Sequence, residues 1–453
     1  MASPLPEPWP DRLALDRAHV WHPFTQMKEH EADPPLAVVG GEGPDLLLAD
    51  GRKVLDGISS WWTCVHGHGH PRLAEALTRQ AARLDHVMFA GFTHEPAIEL
   101  VARLRPRLPA GLTRAFFSDN GSTAVEVALK MAFQAQLQRG ERGRERFGAL
   151  AGGYHGDTLG AVGVGDRGNF MAGLFAPLLL ACDTLEVPED PRREVGPSAQ
   201  AEHAGLEAAL AGVRDWFEAR GPRLAAFIAE PLLQGAGGMR MWAPELLREI
   251  RRQCDRHGVY LILDEVMTGF GRTGTFLALE QAGVQPDLLC LSKGLTGGIL
   301  PLALTWATEE VFGHFWGDYA LMRTFFHGHS FTANPIACAA ACANLALFEE
   351  TPVLERARSL AGALREAWSG LAGHPAVRRA RTLGCVAACE VVDPRTGLPH
   401  PVEARFGWRF HRRALDRGLL VRPLGDCLYL LPPLATPPAR IHAAVQELAE
   451  LLF

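Results

Sequence analysis

The stretch from residue 261 to 298, LILDEVMTGFGRTGTFLALEQAGVQPDLLCLSKGLTGG, sets an acid and an amine where chemistry can use them. Asp264 closes the apolar run VYLILD, and Lys293 follows the next run, DLLCLS, 29 positions on. Buried strands of α/β proteins read as short apolar runs, and ligands gather beyond their carboxyl ends. Two parallel strands would therefore bring both side chains into one crevice. A lysine there can form a Schiff base, and an aspartate can hold a protonated pyridine nitrogen. Those are the two protein groups that pyridoxal phosphate (PLP) requires.

Further segments offer partners for such a group. In TRAFFSDNGSTAVEVALKMAF, residues 113–133, a short strand passes into a helix through Asp119-Asn120-Gly121-Ser122. Val125, Ala128, Leu129 and Ala132 keep the helical period. Gly121 and Ser122 at the helix start offer backbone N–H groups and the positive end of the dipole, which suits a phosphate. Ser and Asn also cap helices merely to satisfy local donors, so the pattern counts only beside the lysine and the aspartate. Tyr154, with His155 and Asp157, follows an apolar run, where an aromatic can stack on a planar ring or simply fill a turn. Ser330 and Thr332 precede a small-residue helix, as phosphate partners or as an N-cap.

On the substrate side, one of the neighbours Trp61 and Trp62 should be core while the other faces a ligand or a partner. The aromatic arm WHPFTQM, residues 21–27, either packs as a tail or faces the ligand. Arg422, at a strand end in LLVRPLG, can hold a carboxylate bidentately or form a surface salt bridge. Three histidines in HGHGHP, residues 66–71, are separated by glycines that hold no fixed face, so they are assigned to a loop and no metal site is expected. Two formal GxGxxG matches, from Gly163 to Gly168 and from Gly269 to Gly274, lack the βαβ context of a dinucleotide fingerprint.

These groups need a frame of alternating strands and helices. LAAFIAEP ends in Glu230; PELLREIRRQCDRHG has a helical period with Pro at its start and Gly after its end; VYLILDEV is the next strand. That alternation implies an α/β fold with a parallel, doubly wound sheet. LLLADGRKVLDGI reads as a hairpin around Gly51. A terminal α/β piece follows, with helices near 353–371 and 437–452 and strands near 384–391 and 419–431. The expected division is an N-terminal arm and part of a small domain over 1–80, a large domain over 81–335, and the rest of the small domain over 336–453.

Composition bounds the remaining readings. With 47% hydrophobic and 21% charged residues, the 453-residue chain matches an ordinary globular protein. A net charge of −6 with no long basic run argues against a nucleic-acid surface. Nine scattered cysteines and no apolar leader favour reduced thiols in a cytoplasmic protein. No run of eighteen or more apolar residues suggests a membrane span.

Taken together, FSDNGSTAVEVALKMA, YHGDTLGA, AEPLLQGAGGM, LILDEVMTGFGRTG, LCLSKGLTGG and HGHSFTANPIACAAA resemble the class III branch of fold type I PLP-dependent aminotransferases, over roughly residues 21–433. Within that branch, WHPFTQM, DGISSWW, GHGHP, HVMFAGFTHEPAIEL and VRPLGD are similar to the members that aminate 8-amino-7-oxononanoate in biotin biosynthesis. The resemblance implies a large domain with a mostly parallel sheet, a smaller domain built from both chain ends, and a homodimer with active sites at its interface. It implies PLP bound to Lys293, with Asp264 on the pyridine nitrogen and Tyr154 and Val266 on the two ring faces. Gly121 and Ser122 would take the phosphate, joined by Ser330 of the partner subunit. Trp61 and Trp62 would line the substrate channel, with Phe24 and Gly328 also at the substrate, and Arg422 would bind its carboxylate. The implied amino donor is S-adenosylmethionine. Phe24 stands where many relatives carry tyrosine and Ser330 where many carry threonine, which keeps lysine as an alternative donor and another ω-amino acid or diamine transaminase as an alternative activity.

Overall fold

The computed structural model describes residues 9–166, 170–200, 202 and 204–452. The first eight residues of the Pro-rich arm and Gly168 of the first glycine pattern lie outside the described residues. At the centre, seven strands lie in the order Leu112–Ser118, Ala303–Thr308, Leu288–Leu291, Tyr260–Asp264, Leu224–Ala229, Arg146–Leu150 and Cys182–Leu185. All run parallel except Ala303–Thr308, which pairs antiparallel with both neighbours.

Both faces of this sheet are covered, which explains the continuous apolar runs. Tyr260 and Ile262 join one buried cluster with Ala124, Val125 and Ala128 of the helix Gly121–Gln138. Leu261 and Leu263 point the other way, into the cluster that holds Leu246, Leu247 and Ile250 of the helix Pro244–His257. Leu263 is fully buried, so truncation to alanine there would cost about 2–5 kcal/mol. Proline opens that helix and Gly258, at φ 64°, ends it in the left-handed region, as the sequence expects.

Both chain ends meet in a smaller sheet. Val38–Glu42, Asp45–Leu48 and Lys53–Asp56 form an antiparallel meander turning at Gly51, and Leu419–Leu420 adds in parallel to Lys53–Asp56. A Cβ on Gly57 would lie 2.7 Å from the Leu420 carbonyl oxygen, so glycine permits this close approach. Val377–Leu383, Val386–Val391 and Cys427–Leu430 make a separate antiparallel sheet.

Two expected strands therefore divide differently. The one near 384–391 is the second arm of a hairpin that turns at Gly384, and 419–431 is two strands in two sheets. Pro423 and the positive φ of Gly425 break it, because proline donates no ladder hydrogen bond, and Arg422 lies in the break. Among the described residues, no single helix is long and apolar enough to cross a membrane.

Candidate active site

Three adjacent central strands end on one edge of the sheet. Glu230 follows the first, Asp264 closes the second, and Ser292 and Lys293 follow the third. A cavity of about 650 Å³ opens there, and it is lined by these four residues together with Tyr154 and Trp62. The antiparallel strand helps to shape it: the chain passes Lys293 and returns along Gly298–Pro301, on the same edge, before entering Ala303–Thr308.

Asp264 is buried and held on both oxygens. Oδ1 accepts the Val266 N–H at 3.0 Å, and Oδ2 lies 2.8 Å from His155 Nδ1. His155 is itself buried, and its Nε2 has no hydrogen-bond partner among the described residues. Glu230 accepts the N–H groups of Tyr154 at 3.0 Å and Gly235 at 2.9 Å. Burial, reinforced by the charge of Asp264, lifts the Glu230 carboxyl to about 7. Burial also lowers the Lys293 ammonium, against the pull of Asp264, Glu230 and Asp157. Its Nζ stands 5.1 Å from the ring centre of Trp62. The Tyr154 phenol donates to Asp157 Oδ1 at 3.0 Å, and burial raises its pKa above the ordinary value.

The helix Gly121–Gln138 starts at the cavity wall. Asn120 caps it by accepting the Thr123 N–H at 3.1 Å, while Thr123 Oγ1 accepts the Asn120 N–H at 3.1 Å. Neither bond uses the N–H groups of Gly121 and Ser122. Ser122 Oγ lies 2.8 Å from Thr158 Oγ1 and accepts the Thr158 N–H at 3.1 Å. A Cβ on Gly121 would sit 2.5 Å from Val266 Cγ1, and one on Gly156, at φ 122°, 2.3 Å from Ser122 Oγ. The cradle therefore has no room for side chains at these two positions. A helix N-terminus for a phosphate, a held carboxylate for a ring nitrogen and a lysine with a lowered pKa fit the donor set of PLP.

The tryptophans stand on an unusual turn. Ser59, Ser60, Trp61 and Trp62 have φ of 50°, 46°, 62° and 72°, a single left-handed helical turn in which Trp62 N–H donates to Ile58 O at 2.8 Å and Thr63 N–H to Ser59 O at 2.9 Å. L-residues disfavour this by ~1–2 kcal/mol each. Ser59 Oγ donates to Leu431 O at 2.7 Å, Ser60 Oγ to Asp56 Oδ2 at 2.7 Å, and Trp62 Nε1 to the Tyr429 hydroxyl at 3.1 Å. Buried Arg272 donates to the carbonyls of Trp62, Cys64 and Pro432. Trp62 is thereby fixed in the cavity wall. Trp61 is 39% exposed, meets the edge of Phe24 with ring centres 5.7 Å apart, and carries the Arg422 guanidinium 5.1 Å above its ring. Among the described residues no carboxylate lies within 4.0 Å of Arg422. Phe24 and Arg422 line a neighbouring cavity of about 490 Å³ rather than the one that holds Lys293.

Most sequence-derived candidates therefore converge and some do not. Asp264, Lys293, Tyr154, Gly121, Ser122, Val266 and Trp62 share one cavity. Phe24, Trp61 and Arg422 stack beside it. Gly328 and Ser330 are exposed on a loop whose His327 lies 3.0 Å from Lys130 Nζ and whose His329 lies 2.8 Å from Asp119 Oδ1, and neither lines the cavity. His66 Nε2 lies 2.7 Å from Asn344 Oδ1, and Arg272 of the second glycine pattern braces the turn. His155 and Glu230 carried no role in the sequence reading. The signal was present: Glu230 ends a strand just as Asp264 does, and His155 adjoins Tyr154.

The aminotransferase class III family model matches residues 26–452. The chain belongs to the class III aminotransferases. This aminotransferase is 48% identical over 436 residues to the adenosylmethionine-8-amino-7-oxononanoate aminotransferase of Synechococcus elongatus, an alignment covering 96% of this chain and 98% of the relative. The crystal structure of the enzyme of that name from Methanocaldococcus jannaschii superposes with a TM-score of 0.90 at 33% identity, covering 98% and 99% of the two chains. An amine transaminase from an uncultivated Pseudomonas species, solved with PLP bound, gives a TM-score of 0.87 at 33% identity, covering 96% and 98%. The aminotransferase thus has the fold type I architecture that its motifs imply.

Proposed function

We propose that the chain is a PLP-dependent transaminase that converts 8-amino-7-oxononanoate to 7,8-diaminononanoate in biotin biosynthesis, with S-adenosylmethionine as amino donor. The observation that carries this reading is the lysine and two carboxylates at three adjacent strand ends, in a chain nearly half identical to an enzyme named for that reaction.

When bound, PLP supplies an electron sink for the pair left as a proton departs from the amine-bearing carbon. The chain supplies the rest. Lys293 anchors the cofactor and then moves that proton, a task suited to an amine whose pKa burial has lowered. Asp264, steadied by His155 and the Val266 N–H, keeps the ring nitrogen protonated. Tyr154 and Val266 would hold the cofactor ring, and Gly121 and Ser122 would take its phosphate. Trp62 and Trp61 shape the entry, and Arg422, with no competing carboxylate among the described residues, takes the substrate carboxylate. Donor and acceptor use one site in turn, so the kinetics are ping-pong.

The active unit is a homodimer, to which Ser330 of the partner subunit adds a phosphate contact, and Gly328 on the same loop contacts the substrate. In support, the segment before that loop exposes Trp316, Tyr319, Leu321 and Met322, and the loop exposes Phe326 and Phe331, an apolar set that a second copy would cover. Among the described residues no disulfide joins the cysteines, which fits a reducing cytoplasm.

The test is turnover by purified, PLP-loaded protein with S-adenosylmethionine and lysine offered separately. S-adenosylmethionine should support diamine formation, and Lys293→Ala should abolish it while leaving a folded protein. Activity with lysine alone would replace the donor. No product from either donor, with ω-amino acids or diamines accepted instead, would replace the reaction.

A further inference from the structure

The N-terminal arm gathers three side chains that the transamination does not use. Asp16 comes from the helix Trp9–His19, His22 from the segment after it, and His30 from the single turn Met27–Glu31. One ligand atom from each lies within 4.8 Å of the other two. His22 Nε2 is 2.8 Å from Asp16 Oδ2, and the rings of His22 and His30 meet edge to face with centres 4.9 Å apart. His30 is 7% exposed, yet its Nδ1 has no hydrogen-bond partner among the described residues. Buried polar atoms are nearly always satisfied, so an orphaned imidazole nitrogen beside a second imidazole and a carboxylate calls for a ligand.

A second cluster, Asp56, Cys64 and His68, also gathers three possible ligands but is closed. His68 uses Nε2 on Asp56 at 2.9 Å and Nδ1 toward Cys64 Sγ at 3.8 Å, while Asp56 also accepts Ser60. No ring nitrogen there is free, and the cluster is a hydrogen-bonded brace for the tryptophan turn.

We propose that Asp16, His22 and His30 bind one divalent cation of the zinc class, which clamps the N-terminal arm. Two imidazoles and a carboxylate, with a fourth position open, form a zinc-type donor set, whereas calcium and magnesium want oxygen ligands. Bonds of about 2.0–2.2 Å to one ion bring tetrahedral ligand atoms to about 3.3–3.6 Å apart, which small rotations from the present spacing achieve. The arm needs such a tie, because the helix Trp9–His19 buries none of its residues and apolar packing does not hold it down. The far side of the arm is already pinned, by Glu29 to Arg405 and Asp33 to Arg412. Phe24, two residues beyond His22 and at φ 52°, touches Trp61, so the ion would steady the segment that presents Phe24 to the substrate entry.

The experiment uses the full-length, PLP-loaded enzyme stripped with a chelator and titrated with Zn²⁺ by calorimetry, with bound metal counted after equilibrium dialysis. One ion per chain is expected. Asp16→Asn, on a helix with no core role, and His30→Gln should each weaken binding at least ~10-fold, while Cys64→Ser keeps the full stoichiometry. Zinc should also slow tryptic cleavage after Arg17 and Lys28 in the parent chain but not in Asp16→Asn. The proposal is overturned by no uptake of Zn²⁺, by uptake unchanged in both arm variants, or by uptake lost in Cys64→Ser.

Discussion

Replacing Gly121 by alanine probes the cofactor cradle at its tightest point. The new Cβ would meet Val266 Cγ1 at 2.5 Å and Cγ2 at 3.0 Å. Carbon atoms pack at about 3.5–4.0 Å, so roughly 1 Å of overlap must be relieved. Val266 cannot simply swing away, since it is buried and its N–H is bonded to Asp264 Oδ1. Overpacking of this kind costs about 1–3 kcal/mol. If the helix start yields, the phosphate donors move and PLP affinity falls between ~5-fold and ~150-fold. The measurement is titration of apoenzyme with PLP, followed by its visible absorbance, for the parent, Gly121→Ala, Val266→Ala and the double variant. Val266→Ala alone loosens the ring contact. In its background, however, Gly121→Ala should become nearly harmless, giving a coupling of about 1 kcal/mol or more. Parental affinity in Gly121→Ala, or an equal loss with alanine at 266, would refute the steric reasoning.

Other consequences can be measured just as directly. Burial lifts both Glu230 and Glu265 to about 7, above the ordinary 4.5, so the stability these protonated acids contribute is full below about 4.5 and is lost as pH rises through 7, on the order of 3 kcal/mol per group. Glu230→Gln should therefore flatten part of the fall in Tm between about pH 5 and pH 8, and an unchanged slope would remove Glu230 from that account. Arg422→Leu should raise KM for 8-amino-7-oxononanoate by a factor matching the loss of a charged hydrogen bond, ~1.5–3 kcal/mol, with little effect on the donor; an equal effect on both would move the carboxylate elsewhere. Ser60→Ala removes a hydrogen bond to buried Asp56 and should lower stability by about 1 kcal/mol in thermal unfolding, with no change in Tm if the turn is held by its other anchors alone.

The central sheet was legible because its strands are covered on both faces and read as unbroken apolar runs, so Asp264 and Lys293 could be placed at strand ends by counting. The placement of Gly121, Ser122 and Tyr154 at the cavity was legible for the same reason, each following a strand. The antiparallel direction of Ala303–Thr308 was not, because the apolar pattern of a fully buried strand is the same whichever way it runs. The bracing of Asp264 by His155 was also hidden, since the two residues are 109 positions apart and only the fold makes them neighbours. The division of residues 419–431 between two sheets followed from Pro423 and Gly425, which were visible but set against a strong apolar pattern. Nothing in SSWW announces a left-handed turn, because no glycine is present and the conformation is imposed by tertiary anchors.

Those anchors also fix when the wall of the entry can form. Ser59 is held by the carbonyl of Leu431, Trp62 by the hydroxyl of Tyr429, and Arg272 reaches the carbonyl of Pro432. A ribosome delivers residues 429–432 more than 360 positions after the turn, and the isolated turn is disfavoured at every residue. The tryptophans therefore take their places only once the final strand has docked. A chain not yet extended to residue 432 can carry the lysine and the aspartate on their sheet while the tryptophan wall of the cavity still waits for its anchors.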